Sequence, residues 1–256
     1  MAERTSRSRR AARPTDMTNT KKTDDDLDAG IATLATELRA HALAADALDE
    51  TRFARLRDCV ATRALERGLA DVAIACHDSP LGRIVLGATE SGLVRVGLPV
   101  ESEDAVLDEL AARVSPRVLR APRTVLDDAR RQLDEYFAGR RNEFALALDW
   151  RLTVSPASTS TKGRGGDGRP RPTTGFRHAV LRATATIPFG STATYREIAL
   201  RAGSPAAHRA TGSALASNPL PIVVPCHRVL PSSGGVGQYR GGTEAKARLL
   251  ELEGAV

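Results

Sequence analysis

Cysteine is scarce in this sequence, and its distribution excludes a protein built on disulfides. The 256 residues contain three cysteines, Cys59, Cys76 and Cys226, with neither a CxxC pair nor the even number of a secreted framework. Unpaired thiols stay reduced inside cells, whereas secreted proteins accumulate disulfides. We therefore expect an intracellular protein, located in the cytoplasm.

Long hydrophobic runs are also missing. No apolar stretch approaches the roughly 20 residues that a membrane-spanning helix requires. The basic N-terminus is not followed by the apolar core of a secretory signal, so we do not expect export. The sequence predicts a soluble chain with no membrane partner, and we expect a monomer.

The sequence lacks a recognisable metal site. Cys76 and His77 are adjacent, but a structural zinc site needs about four ligands at workable spacing. No such set can be assembled around them. We therefore predict no metal ligands.

Charge is unevenly distributed along the chain. Residues 1–22 carry seven Lys or Arg against two acids, and residues 151–256 carry fourteen against five. The whole chain is +6, so the middle, residues 23–150, is acidic. A basic C-terminal part indicates a polyanion as its partner. Solvated faces and a flexible tail would give the same counts.

Composition and periodicity predict five segments. They are a disordered basic tail (1–23), a helical extension (24–70), an α+β domain (71–150), a low-complexity linker (151–174) and a C-terminal domain (175–256). In the α+β domain, turn residues separate three β-rich runs, which predicts an antiparallel meander followed by two helices. The runs are 72–75, 83–86 and 92–97, the helices are 103–114 and 125–138, and a further strand is predicted over 144–148.

The most informative stretch is Pro-Cys-His-Arg-Val at residues 225–229, preceded by an apolar run, 222–224, that we predict to be a buried strand. A thiolate attacks far better than a thiol, and burial would raise the pKa of Cys226, so a base is required. His227 is the adjacent candidate. Neighbours along an extended chain point to opposite sides, so a water molecule or a turn at Pro225 must connect the two. Taken alone, an unpaired cysteine such as Cys226 is more typical of a small core side chain than of a nucleophile.

A helix-turn-helix-like pair precedes this run. The first helix is predicted over 195–201, and Ser204 and Pro205 are suited to begin a second one over 205–216. The second helix consists mostly of small residues and offers only His208 and Arg209 to read base edges. It therefore favours close approach to the DNA backbone and minor groove, although a helix-packing face would have the same composition.

Six segments within residues 175–254 resemble, in the same order, the methylated-DNA–protein-cysteine S-methyltransferase (O6-alkylguanine-DNA alkyltransferase) family. They are Ile187-Pro188-Phe189-Gly190, Tyr195, Arg209-Ala210-Thr211-Gly212, Asn218-Pro219, Pro225-Cys226-His227-Arg228 and Gly237-Gln238-Tyr239-Arg240-Gly241-Gly242. The resemblance implies an α+β protein, in which a small N-terminal domain with an antiparallel sheet and helices precedes a mostly helical domain of winged-helix or helix-turn-helix type.

The resemblance also implies the catalytic residues. Cys226 would be the nucleophile, Glu253 would orient His227, and His227 would take the thiol proton through water. Tyr195 would contact the flipped nucleotide and donate a proton as the alkyl group leaves.

The resemblance further assigns residues that contact DNA or the substrate base. Arg209 would fill the gap that a flipped nucleotide leaves in the stack. The DNA-binding set is Arg209, Ala210, Tyr195, Asn218 and Arg228, and the pocket set is Tyr239, Arg240, Gly241 and Val229. Arg240 stands where some relatives carry a small serine, which leaves the range of adducts open.

These observations predict direct repair of alkylated double-stranded DNA. Cys226 would accept the alkyl group of O6-alkylguanine, and secondarily of O4-alkylthymine, in one displacement that uses no cofactor. Two other hypotheses remain open. One is a DNA-binding sensor or regulator without repair activity. The other is a Cys–His–Glu hydrolase that turns over.

Overall fold

The computed structural model describes residues 32–37, 50–154 and 174–256. The chain divides into two units, Met1–Ala54 and Arg55–Val256. Residues 32–37 form a short helix, α1, within the predicted helical extension. The predicted tail, 1–23, and residues 155–173 of the predicted linker lie outside the described residues.

The sheet contains the predicted meander and one strand more. Strands β1 to β3 pair antiparallel, and β4 joins the free edge of β1 in parallel, so the order is β3-β2-β1-β4. Their bounds are Val72–Ser79, Gly82–Thr89, Gly92–Gly97 and Val118–Arg120. The α+β class is confirmed, but the sheet is mixed rather than purely antiparallel. β4 has three residues, too few to show a period of two in the sequence.

Helices cover both faces of this sheet. Helix α2 (Glu50–Glu66) precedes the sheet, and α3 (Glu103–Arg113) and α4 (Thr124–Phe137) follow β3 and β4. The apolar side of α3 packs on one face through Val106 and Leu110, and α4 packs on the other through Leu126 and Leu133. β3 is therefore buried along its whole length.

The predicted strand over 144–148 is wrong. This segment makes one isolated bridge, Leu148 to Leu93, and is otherwise irregular. The side chain of Gln132 accepts from the Ala145 N–H at 2.7 Å and donates to the Ala145 carbonyl at 3.1 Å. A side-chain amide thus satisfies backbone groups that a strand would have paired with a neighbouring strand.

The C-terminal part, residues 174–256, is mostly helical. Two two-residue strands, β5 and β6, pair in parallel beneath four α-helices and one 3₁₀ turn. In chain order the elements are α5 (Thr174–Thr184), β5 (Ala193–Thr194), α6 (Tyr195–Arg201), α7 (His208–Ala216), the 3₁₀ turn (Cys226–Arg228), β6 (Val229–Leu230) and α8 (Thr243–Leu252). Helix α6 has the predicted bounds, because Thr194 and Glu197 form a capping box at its start.

The second helix of the helix-turn-helix pair begins later than predicted. Ser204 does not cap it, because the Ser204 carbonyl accepts from the Ala207 N–H at 2.9 Å in a separate turn. Helix α7 starts at His208 with no side-chain cap.

The predicted strand over 222–224 is a turn instead. Asn218 uses its amide to accept from the Leu220 N–H at 3.0 Å and to donate to the Val224 carbonyl at 2.9 Å. Ile222 lies at the centre of the turn with a φ of 72°, unusual for a β-branched residue. An apolar run does not distinguish a buried strand from a buried turn, because both are hydrophobic throughout.

The N-terminal half (55–154) and the C-terminal half (174–256) pack on a shared hydrophobic core. A backbone hydrogen bond joins β3 to the second half, from the Val96 N–H to the Pro219 carbonyl at 2.8 Å. Within the described residues, no helix is long and apolar enough to cross a membrane.

Candidate active site

The thiol of Cys226 lies at the start of the 3₁₀ turn and is almost completely buried, with 5% of the residue exposed. Its Sγ accepts a hydrogen bond from Asn218 Nδ2 at 3.1 Å. The same amide group donates to Val224, so Asn218 both shapes the turn and contacts the sulfur. The chain turns directly after Pro225, which is one of the two connections between Cys226 and His227 that the sequence left open.

The pKa of the Cys226 thiol is raised by burial, with the Asn218 hydrogen bond and the Lys246 charge opposing the shift. The resting thiol is therefore protonated at neutral pH. Nucleophilic attack requires a base that removes this proton as substrate binds.

His227, the next residue along the chain, pairs its imidazole with a carboxylate. Its Nε2 lies 2.9 Å from Glu253 Oε1, and both side chains are fully buried. Glu253 also accepts two hydrogen bonds from Arg228, at 2.7 and 2.8 Å. The carboxylate is thus held between a guanidinium and an imidazole.

The protonation states of this pair follow from its surroundings. Burial lowers the pKa of His227, although Glu253 opposes that shift. Burial disfavours ionised Glu253, but hydrogen bonds from His227 and Arg228 outweigh it and lower its pKa to about 2. A neutral imidazole beside an ionised carboxylate donates through Nε2, so Nδ1 carries the lone pair. His227 Nδ1 is buried without a partner in the described part of the chain, which leaves it available as an acceptor.

Sequence reasoning missed two further buried side chains, one in this cluster and one near it. Tyr136, on α4 of the N-terminal half, donates its hydroxyl to Glu253 Oε1 at 2.6 Å. Lys246 is fully buried on α8 and donates to the Val229 carbonyl at 2.7 Å, and burial lowers its pKa to about 8. A lysine on the apolar face of α8 could have been noticed in the sequence, whereas no local sequence feature distinguishes Tyr136.

A cavity of about 400 Å³ opens onto the thiol. Helices α6 and α7 form one wall, and the loop before α8 forms the other. Its lining residues are Tyr195, Gly212, Leu215, Ala216, Cys226, Pro231, Gly237, Gln238, Tyr239 and Arg240. The cavity thus brings together Cys226, Tyr195, Tyr239 and Arg240, which were predicted from the sequence.

Two predicted pocket residues lie behind the wall rather than in it. Val229 is fully buried in β6 and does not line the cavity. A Cβ on Gly241 would approach the Tyr239 ring to 2.8 Å and Leu98 to 2.9 Å. The absence of a side chain at Gly241 therefore lets Tyr239 sit against the N-terminal half.

The predicted DNA-binding residues divide into exposed and buried ones. Arg209 is exposed near the start of α7 and, within the described residues, makes no ion pair, whereas Ala210 is half-buried. Asn218 is fully buried and Arg228 is 5% exposed. Their polar atoms hold the Cys226 turn and Glu253 within the protein, and direct contact of these two residues with DNA stays a prediction.

The second cysteine–histidine pair forms no metal cluster. Cys76 Sγ accepts from Arg120 at 3.2 Å, and His77 Nε2 lies 3.4 Å from Asp134. In the ranges that the structure describes, no group of three or more His, Cys, Asp or Glu side chains is arranged to hold a metal ion.

Two family models match this chain. Residues 72–150 match the ribonuclease-like domain of 6-O-methylguanine DNA methyltransferase, and residues 175–255 match its DNA binding domain. The second range contains the thiol, the His–Glu pair and both cavity walls.

Relatives and solved structures agree with this match. The chain is 36% identical to a methylated-DNA–protein-cysteine methyltransferase of Mycobacterium leprae over 177 residues, which cover 69% of this chain and 88% of the relative. It is 35% identical to the constitutive enzyme of that name from Bacillus subtilis, over 69% of this chain and 92% of the relative. The structure of Mycobacterium tuberculosis OGT in complex with DNA is similar, with a TM-score of 0.52 and 33% identity over 72% of this chain and 92% of the other.

Proposed function

Because this chain belongs to the family of methylated-DNA–protein-cysteine methyltransferases, we propose that it repairs DNA by accepting the alkyl group of O6-alkylguanine on Cys226. The observation that carries this proposal is the placement of the thiol. Cys226 borders a cavity behind a helix-turn-helix pair, next to a buried His–Glu pair with a free imidazole nitrogen. Secondary acceptance of alkyl groups from O4-alkylthymine belongs to the same proposal.

The first step is thiolate formation. His227 Nδ1 accepts the Cys226 proton through a water molecule, and the imidazolium that forms donates from Nε2 to ionised Glu253. Because the resting imidazole is neutral and the carboxylate ionised, this transfer creates a charge pair inside the protein. Such a pair stabilises the thiolate state more than exposed groups would.

The second step is a displacement at the alkyl carbon. The sulfur forms a bond to that carbon while the bond from carbon to O6 breaks, and the guanine that leaves takes up a proton. Tyr195 lines the cavity, and burial raises its pKa, so it is protonated and suited to be the donor. A thioether has no good leaving group, so each protein molecule acts once.

The target base must first leave the helix, because O6 is not accessible to a buried thiol in stacked DNA. Helix α7 offers mostly small side chains, which permit close approach to the duplex. Arg209, which is exposed on this helix, is the side chain that we propose fills the gap in the stack. Double-stranded DNA is therefore the proposed partner, with a flipped guanine in the 400 Å³ cavity.

Intact-mass analysis tests the proposal. After mixing with a duplex oligonucleotide that contains O6-methylguanine, we expect a gain of one methyl group per protein, mapped to Cys226 by peptide mass. The variant Cys226→Ala should gain none while still binding the duplex. Repeated turnover would indicate a hydrolase. Binding without a mass change would indicate a sensor, and methylation of Cys59 or Cys76 would indicate a different acceptor. Each of these outcomes contradicts the proposal.

A further inference from the structure

We propose that Glu101, in the N-terminal half, fixes Arg240 across the alkyl pocket and thereby makes the protein select small alkyl groups over bulky apolar ones. This inference rests on the proposed function. It assigns a substrate-selecting role to a residue outside the C-terminal half that contains the reactive thiol.

The first observation is the position of Arg240. It is the charged side chain among the described residues that line the cavity, where the other members are small, aliphatic, aromatic or uncharged. Its guanidinium donates to Glu101 Oε2 at 2.6 Å, and 24% of the side chain is exposed. An arginine stem therefore borders the space next to Cys226, with its charged end anchored on the other half of the molecule.

The second observation is that Glu101 is itself immobilised. Its Oε1 accepts from the Leu98 N–H at 3.0 Å, and its Oε2 also binds the fully buried Arg95. Burial raises the pKa of Glu101, but the Arg240 hydrogen bond and the Arg95 charge outweigh it and lower the pKa overall. The carboxylate stays ionised at neutral pH and offers Arg240 a fixed partner.

The third observation concerns the loop that carries Arg240. Gly237 and Gly242, at its two ends, have φ values of 69° and 89°, in the region that glycine adopts freely. Within the C-terminal half, the Gly242 N–H donates to the Tyr239 carbonyl at 3.0 Å and Lys246 Nζ donates to the Gln238 carbonyl at 3.4 Å. The contacts with Leu98 and Glu101 attach the same loop to the N-terminal half.

Together these contacts predict selection by size and polarity. A methyl group needs little room between the sulfur and the pocket wall. A benzyl group must displace the Arg240 stem, which breaks an ion pair that is largely shielded from solvent. Glu101 would keep Arg95 but lose one of its two cations, and the partly buried guanidinium of Arg240 would lose its carboxylate, so the bulky apolar adduct is disfavoured.

Single-turnover transfer from two oligonucleotides of identical sequence, carrying O6-methylguanine or O6-benzylguanine, tests this inference. The measured quantity is the ratio of benzyl to methyl rates, in which changes of DNA affinity cancel. We expect Arg240→Ser to raise this ratio on the order of tenfold, within the range that pockets achieve for small differences in substrate size. Glu101→Gln should raise it less, and Arg240→Lys, which keeps the cation, should stay near the parent.

Glu109→Gln is the matched control. Glu109 binds the same Arg95, at 2.9 Å, but has no hydrogen bond to Arg240. We expect it to leave the ratio unchanged. A ratio for Arg240→Ser within twofold of the parent would overturn the inference, as would an equal rise for Glu109→Gln and Glu101→Gln. If the parent transferred neither group, the proposed function itself would fail, and the two failures are thus distinguishable.

Discussion

Arg95 and Arg228 are both buried arginines paired with glutamate, one in each half of the molecule. Arg95 is bound by Glu101 and Glu109. Glu101 also pairs with Arg240, and Glu109 also pairs with Arg113. Arg228 is bound by Glu253, whose remaining hydrogen bonds come from His227 and Tyr136. In the first cluster the ionisable partners of the glutamates are arginines, which stay charged, whereas the second cluster includes an imidazole that can gain a proton. We therefore expect the other contacts of each glutamate to decide whether it supports structure or chemistry.

The largest difference between the clusters should appear in the transfer rate. His227→Leu removes the proposed base, and we expect methyl transfer to slow by about 10²- to 10⁴-fold, the usual contribution of general base catalysis. Single-turnover kinetics on an O6-methylguanine duplex measure this. Glu109→Gln in the other cluster should change the rate less than about twofold.

DNA affinity provides the control for His227→Leu. The imidazole is fully buried, so fluorescence anisotropy should find duplex binding close to that of the parent. An unchanged transfer rate would make His227 a structural residue and remove the distinction between the clusters.

Replacing Glu253 should destabilise the protein more than replacing Glu101. Glu253→Gln leaves Arg228 without a carboxylate among the described residues, and breaking a buried pair in this way costs about 3–5 kcal/mol. Glu101→Gln should cost less, because Glu109 still neutralises Arg95. Urea unfolding of both variants measures the difference, and equal losses would show that the second carboxylate does not compensate.

Acid should weaken the Glu253 cluster over a defined range of pH. The pKa of Glu253 falls from 4.5 to about 2 on folding, so its ionised form stabilises the protein above pH 4.5, and that contribution is lost as the pH falls towards 2. The free energy of unfolding, followed from pH 5 to pH 2, should decline less steeply in Glu253→Gln than in the parent. Identical slopes would indicate that other carboxylates dominate acid unfolding.

The smallest effect concerns two tyrosine hydroxyls. Tyr136→Phe removes a hydrogen bond to ionised Glu253 and should lower stability by about 1.5–3 kcal/mol. Tyr239→Phe is the matched control for stability, because the Tyr239 hydroxyl is buried without a partner in the described part of the chain. Thermal unfolding should show a clear loss for the first and almost none for the second. Comparable losses would mean that ring packing, rather than the contact with Glu253, explains both.

Local signals in the sequence predicted much of the fold. The meander followed from β-rich runs separated by turn residues, and α6 was predicted with its observed bounds, at whose start the structure shows a capping box of Thr194 and Glu197. The failures occurred where a side-chain amide replaces a backbone partner. The Asn218 amide stabilises a turn at residues 222–224, and the Gln132 amide binds the backbone at Ala145. Both apolar runs, which suggested strands, are therefore irregular.

Only the site residues that lie within the C-terminal sequence motifs could be predicted. Cys226, His227 and Glu253 were identified from motif resemblance, and the structure brings the imidazole and carboxylate together. The roles proposed for these residues stay predictions until they are tested. Tyr136 and Glu101 could not be found, because each reaches the site from a domain more than 100 residues away in sequence. Their importance depends on how the two halves pack, which no local pattern encodes.

The left-handed conformation of Ile222 has a consequence for the order of folding. In an unfolded chain a β-branched residue rarely visits a φ of 72°, so the turn before Cys226 has little tendency to form alone. The Ile222 side chain is 1% exposed, and burying it in the assembled core offsets that local cost. We therefore expect this turn to form late, after the helices around it have packed. A newly synthesised molecule would then acquire its reactive thiol as one of the last events of folding.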